Sequence, residues 1–381
     1  MKIPLHEPIF NSKDFLEISK CFKSGWLSSG GRYVVQLEKK ISKIHNVKYC
    51  SCVVNGSAAL QVSLRCIGIE PGDEVLVPTV TFISTINSII YNNASPVFFD
   101  VGNDFNVDQN NVLNFFKNET FFFNNLTYNK KTKKIIKAII IVHVFGNPAN
   151  FEKIYYECKK RNIKIIEDAA ENLGTKYISG KFKNRFAGTI GDLGCYSFNG
   201  NKIISSGGGG AIVNNNKKYK KKIDYLITQA KNDGINYIHD EVGFNFKMSN
   251  LHASIGCSQI KNLNKNILRK KKIHEYYLSK FKKNKNIYML TTNKNTKSNY
   301  WLNIIFFDEE KNKIKTLKKL LKNKIEARSV WYPNHLQKPF KKYQNYNITK
   351  ALSLVKRSIC LPSSPHISKE ELNKVIKIIN D

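Results

Sequence analysis

The chain has 381 residues, 41% of them hydrophobic and 12% aromatic, and a formal net charge of +33. That apolar content excludes wholesale disorder, and the length suits two domains at roughly 100–200 residues each. No apolar run approaches the ~20 residues of a membrane helix, and MKIPLHEPIF has no apolar signal core, so a soluble, non-secreted, cytoplasmic protein without membrane insertion is expected.

In chain order, residues 12–24 and 33–45 read as amphipathic helices joined by the loop 25–31. An apolar run over 47–54 precedes a helix at 58–67, then a strand at 74–78, a helix at 82–92 and a strand at 96–100. Residues 118–134 are the most loop-like insert. A β-branched strand at 137–144, a helix at 151–161 and a strand at 163–168 follow. This alternation predicts an α/β fold with a mostly parallel sheet, helices on both faces, and ligands at the carboxyl ends of the strands. After Gly194 the pattern becomes strand (195–198), glycine run (207–210) and strand (211–213). Residues 251–283 read as one long polar helix, followed by a strand at 299–307 and helices at 312–322 and 369–379. The expected organisation is a large domain, residues 1–250 with an N-terminal arm, and a smaller C-terminal α/β domain, residues 251–381.

The positive charge raises nucleic acid as a partner, but its distribution argues otherwise. Lysines are scattered from Lys2 to Lys377 among Asn and Ile, residues whose codons are AT-rich. There is no helix-turn-helix, zinc finger or RNA-binding aromatic motif, so no specific nucleic-acid partner is expected. A non-catalytic basic regulatory or nucleic-acid-binding protein is the rival reading, carried by charge alone. The charge also favours encounter with anionic substrates. The eight cysteines form no C-x-x-C pair and no zinc spacing, so they read as reduced, buried thiols, and no metal is expected.

Three segments carry chemistry. Asn55-Gly56-Ser57-Ala58-Ala59-Leu60 joins a strand to a helix. Its small residues let N–H groups and a hydroxyl approach an anion at the helix start, or Ser57 caps the helix. Asp168 ends the β-branched strand 163–168, where a carboxylate pairs with a cationic ring nitrogen or a metal, or caps a helix. Lys202 lies between two strands and ahead of four glycines, as a pocket lysine able to form a Schiff base or as one of many surface lysines. An anion cradle, an acid and a lysine, in that order, are the parts of a pyridoxal 5'-phosphate site.

With these segments, further motifs resemble the DegT/DnrJ/StrS family of pyridoxal phosphate-dependent nucleotide-sugar aminotransferases. They are Gly25-Trp26-Leu27-Ser28-Ser29-Gly30, Gly72-Asp73-Glu74-Val75-Leu76-Val77-Pro78-Thr79, His143-Val144-Phe145-Gly146-Asn147-Pro148, Glu167-Asp168-Ala169-Ala170-Glu171, Ser197-Phe198-Asn199-Gly200-Asn201-Lys202, Gly243-Phe244-Asn245-Phe246-Lys247-Met248-Ser249-Asn250 and Trp331-Tyr332-Pro333-Asn334-His335. The resemblance covers nearly the whole chain and implies the aspartate-aminotransferase-like fold type I. Asn199-Gly200-Asn201-Lys202 followed by four glycines looks most like the LegC-like branch, which aminates UDP-linked 4-keto-6-deoxy sugars.

The resemblance implies roles residue by residue. Lys202 matches the covalent lysine and Asp168 the partner of the pyridine nitrogen, and these are the catalytic candidates. Gly56, Ser57 and Ser197 match phosphate contacts, Ala58 beside them is a further cofactor-binding candidate, and Phe82 matches an aromatic stacked on the cofactor ring. Glu171 stands where Gln is common, beside the phenolic oxygen, and Lys247 where Arg is more usual. Asn245 matches a residue that reaches the neighbouring subunit's phosphate, which implies a homodimer with shared sites. His143 divides evenly between site wall and packing, and Trp331 and His335 between substrate-side loop and core. The implied reaction moves an amine from L-glutamate to a nucleotide-linked 4-keto-6-deoxy sugar, for surface-glycan or nonulosonate synthesis. A 3-keto-sugar aminotransferase or a sugar dehydratase is the near alternative, although dehydratases on this scaffold replace the lysine with His.

Overall fold

A computed structural model describes residues 2–380. Its main sheet contains β1 (Tyr49–Val53), β2 (Glu74–Pro78), β3 (Ser95–Phe99), β4 (Ile136–Val142), β5 (Lys164–Asp168), β6 (Leu193–Ser197) and β7 (Gly210–Asn214). The spatial order is β1-β7-β6-β5-β4-β2-β3, with the two-residue strand Asn345–Tyr346 on the outer edge of β3. Within this sheet only β7 runs antiparallel to its neighbours, β1 and β6. The carboxyl ends of all the others therefore share one edge.

The central strands read as near-continuous apolar runs because helices cover both faces. β4 has the sequence IKAIIIV and buries all but Lys137, and it pairs Ile139 with Ile165 and Ile140 with Ile166 of β5. Val77, Phe98, Ile140 and Ile166 pack into one core, while Leu76, Val97, Ile139 and Ile165 pack into another on the opposite face. This is the two-residue alternation of a sheet buried on both sides.

A second, antiparallel sheet orders Ile287–Met289, Asn303–Phe307, Ser358–Leu361 and Arg328–Ser329. Tyr277, Leu320 and Val375, from three helices, pack on it together with Ile305 and Ile359. No helix of the described residues is long and apolar enough to cross a membrane.

Three expectations about elements are corrected. The insert 118–134 contains a hairpin, Thr120–Phe123 paired with Leu126–Asn129. Its turn residues Asn124 and Asn125 have φ of 45° and 61°, left-handed values that Asn tolerates and a tight hairpin requires. The single helix over 251–283 is two, Asn250–Gln259 and Leu263–Phe281, separated by the 3-10 turn Ile260–Asn262. The strand expected from residue 299 begins at Asn303, because the Asn299 side chain instead bonds the carbonyls of Glu171 and Leu173. The helix Asn250–Gln259, just past the expected division of the chain, packs on the N-terminal helices: Asn250 accepts from Tyr33 N–H at 2.8 Å and Gln259 donates to Asp14 at 2.9 Å.

Candidate active site

A cavity lies at the shared carboxyl edge of the main sheet. β1 leads through Asn55 into the helix Gly56–Cys66, and the Asn55 side chain caps that helix by accepting from Ala58 N–H at 2.7 Å. The N–H groups of Gly56 and Ser57 precede the first intrahelical donor, Ala59 N–H, and carry the positive end of the helix. A Cβ on Gly56 would stand 3.0 Å from Cβ of Ser197, so the missing side chain keeps the cradle between helix start and Ser197 open. Gly56, Ser57 and Ser197 line the cavity. Ala58 does not, and its N–H is taken by the cap.

β5 delivers Asp168, which is 5% exposed. Its carboxylate accepts from Thr85 Oγ1 at 2.7 Å and from Ala170 N–H at 3.2 Å, one donor per oxygen. Burial raises its pKa above the ordinary Asp value despite those bonds and the nearby Lys202 charge. Lys202 sits in the connection between β6 and β7. Its Nζ is 3.4 Å from Oε1 of Glu171 and 4.2 Å from the centre of the Trp301 ring. In the glycine run behind it, Gly209 has φ of 123°, which side-chain-bearing residues rarely adopt. Glu171 also accepts from Phe145 N–H at 2.8 Å, and burial raises its pKa against the pull of Lys202.

His143 is fully buried and lines the cavity. Its Nδ1 accepts from Ala149 N–H at 3.0 Å, so Nε2 carries the proton that it donates to Glu167 at 2.9 Å. It is at once a wall and a packed, fully bonded ring. Phe82 and Trp331 form an aromatic wall: their rings meet edge-on at 6.5 Å, and Trp331 stacks on Phe145 at 4.9 Å. Asn334 pins this substrate-side loop to the end of β2 through the carbonyls of Thr79 and Thr81. His335 does not reach the cavity lining; its Nδ1 bonds Thr79 Oγ1 at 2.6 Å. Asn245 is exposed and bridges to Thr228, away from this chain's own cavity, and Lys247 pairs with Val53.

Sequence reasoning passed over Thr85, Asn201, Trp301 and Arg328, all of which orient or line the site. Trp301 is 1% exposed and donates Nε1–H to the carbonyl of Asn201 at 2.8 Å, which fixes the residue preceding the lysine. A threonine three positions into a helix and a tryptophan in an apolar stretch carry no local signal of such roles.

The donor set fits pyridoxal 5'-phosphate: helix-start N–H groups and two serine hydroxyls for a phosphate, a buried carboxylate with free lone pairs for a protonated ring nitrogen, and an amine for an aldehyde. The family model for the DegT/DnrJ/EryC1/StrS aminotransferases matches residues 8–380. GDP-perosamine synthase of Escherichia coli O157:H7 is 34% identical over 382 residues, covering 100% of this chain and 98% of that protein. The dTDP-4-amino-4,6-dideoxy-D-glucose transaminase of Escherichia coli is 27% identical, covering 95% and 93%. The crystal structure of a DegT DnrJ EryC1 StrS aminotransferase from Brucella abortus superposes with a TM-score of 0.87 at 25% identity, covering 97% of this chain and 94% of that one.

Proposed function

The chain belongs to the DegT/DnrJ/EryC1/StrS aminotransferase family, whose aminotransferases bind pyridoxal 5'-phosphate, and on that premise we propose that it moves an amino group from L-glutamate to C4 of a nucleotide-linked 4-keto-6-deoxy sugar. The observation that carries this reading is convergence. The Gly56–Ser57 helix start lies more than a hundred residues from Asp168 and Lys202, yet all of them line one cavity. The cofactor, when bound, supplies the electron sink and carries the amine between the two half-reactions.

Each residue then has a task. Gly56, Ser57 and Ser197 hold the phosphate, and Phe82 covers one ring face. Asp168 keeps a proton on the ring nitrogen: an anion at 5% exposure binds a facing cation strongly, and that cation offsets the cost of burying the carboxylate. Lys202 Nζ moves the proton to and from the carbon that carries the amine, held between Glu171 and the Trp301 face. Support for a 4-amino product comes from the names of the relatives in Escherichia coli.

The reading includes a homodimer with shared sites, located in the cytoplasm and serving surface-polysaccharide synthesis. Asn245 is exposed, and so are the apolar side chains of Phe15, Phe22, Trp26, Ile235 and Val242, as an uncovered two-fold interface would leave them. The test is incubation with L-glutamate and 4-keto-6-deoxy sugars on UDP, GDP and dTDP, with the product read by NMR. Amination at C4 of one of them is expected; amination at C3, or none, overturns the assignment. Mixing inactive Lys202→Ala and Asn245→Asp subunits should restore one intact site per heterodimer, and exchange without recovery overturns the shared site.

A further inference from the structure

A second cavity, of about 170 Å³, borders the active-site cavity along Trp301. It shares Asn201, Trp301 and Arg328 with the first cavity and adds Leu5, His6 and Glu326. At ~30 Å³ per water in the liquid, that volume suits a small organic group rather than one solvent molecule.

Its other wall is the N-terminal segment, which is tied down on both sides of His6. Ile3 bridges to Ile325, with Ile3 N–H donating to Lys324 at 3.0 Å and Glu326 N–H to Ile3 at 2.8 Å. Leu5 N–H donates to Glu326 Oε2 at 3.0 Å, Ser363 N–H donates to Leu5 at 2.7 Å, and Glu7 N–H donates to Ser364 Oγ at 3.0 Å. Between these anchors His6 lines the cavity, and both its ring nitrogens are buried without a hydrogen-bond partner. Burying both nitrogens of an imidazole without partners is costly to the fold, so their persistence points to a ligand.

The chemistry of the surroundings selects the ligand's charge. Arg328 lines the cavity and Lys202 stands over the Trp301 ring; Lys270, which bonds the carbonyls of Trp301 and Ser363, has its pKa pulled well below the usual lysine value by burial and does not count among these charges. Among the described lining residues the one carboxylate, Glu326, is already engaged through Lys2 on one oxygen and Leu5 N–H on the other. Burial holds the His6 pKa well below its usual value, so the ring is neutral and offers one N–H beside the Arg328 guanidinium. An anion is welcome there.

We propose that the cavity bounded by His6, Arg328, Asn201 and Trp301 seats a carboxylate of the amino donor. Asn201 directly precedes Lys202, and the Trp301 ring carries the lysine amine on its face. A donor amino acid must bring its amine-bearing carbon to that amine, and its carboxylate is one bond away. A nucleotide sugar carries its phosphates on the far side of a ring from the reacting carbon, so they lie out of reach of this cavity. The assignment rests on the aminotransferase reading and names the donor half of it.

The test uses holoenzyme carrying His6→Phe, which fills the space without a donor, and His6→Gln, whose amide restores one. Glutarate, a dicarboxylate without an amine, is titrated calorimetrically, and the glutamate half-reaction is followed by absorbance with no sugar present. His6→Phe should weaken glutarate binding and raise the glutamate KM at least tenfold, while the KM for sugar moves less than twofold; His6→Gln should recover most of the loss. A folded His6→Phe that binds glutarate like wild type overturns the proposal, as does a loss shared equally by sugar and donor. Should His6→Phe not fold, His6→Asn, too short to reach the cavity's centre, is measured for the same outcomes. If no keto sugar is aminated but the glutamate half-reaction keeps its dependence on His6, the sugar assignment falls and the donor subsite stands.

Discussion

Glu167 and Asp168 are neighbours in sequence at the end of one strand, and the sheet sends them to opposite faces. On one face, Glu167 receives four donors: His143 Nε2 at 2.9 Å and the N–H groups of Gly188, Ile190 and Gly191 at 2.8, 2.6 and 2.6 Å. Burial alone would raise its pKa, but the bond from His143 and those backbone donors hold it below the ordinary Glu value. On the other face, Asp168 has two donors and a cavity in front of it, and burial wins, so its pKa rises. A saturated buried carboxylate is an anchor for loops. An undersaturated one is a socket for a cation that arrives later.

The contrast is tested most severely on the open face. Lys202→Ala removes the proton carrier and should lower turnover by at least ~10³-fold, within the range of a lost acid–base group, with the melting profile unchanged. Near-wild-type transamination would refute the assignment. Asp168→Asn leaves nothing to hold the ring proton and should cost at least ~10²-fold in kcat. A drop of two- or threefold would make Asp168 a helix cap.

On the closed face the same acid-to-amide change should act on stability instead. Glu167→Gln turns an amide N–H₂ toward backbone donors and should cost about 2–3 kcal/mol in denaturant unfolding. If unfolding is unaltered and only activity falls, the two acids are not divided as described.

The smallest effect concerns pH. A lowered folded pKa means that the stability contributed by Glu167 is complete above the ordinary carboxylate range and is lost as pH falls through that lowered value. A raised one means that the Asp168 charge destabilises the cofactor-free fold increasingly as pH climbs from the ordinary Asp value through the raised one. Cofactor-free Asp168→Asn should therefore melt higher than wild type at pH 7, by roughly 1–3 °C, and lose that advantage in acid. A lower melting point at neutral pH would reverse the sign of the argument.

The open face was legible in the sequence and the closed one was not. Asp168 announces itself at the end of a β-branched run, Gly56 and Ser57 at a strand-to-helix junction, and Lys202 ahead of a glycine run, each by local pattern. The backbone partners of Glu167 lie 21–24 residues away in a loop whose N–H groups have no sequence signature, and His143 gave no sign of the bond it makes. Trp301, Arg328 and His6 lie 99 or more residues from Lys202 in the chain, and only tertiary packing reveals them. The hairpin at 120–129 hid because its Asn124-Asn125 turn lacks glycine. Lys270, fully buried between carbonyls, was one of many lysines in a strongly basic chain.

The bridge from Ile3 to Ile325 also sets a timetable. A ribosome adding about 5–20 residues per second needs tens of seconds to travel between those two positions. The segment around Ile3 thus docks long after it is made, and an enzyme molecule acquires its histidine-lined chamber only once residue 325 has been added. Nascent chains stalled short of residue 325 should leave the Leu5 amide open to hydrogen exchange, while released chains protect it through Glu326.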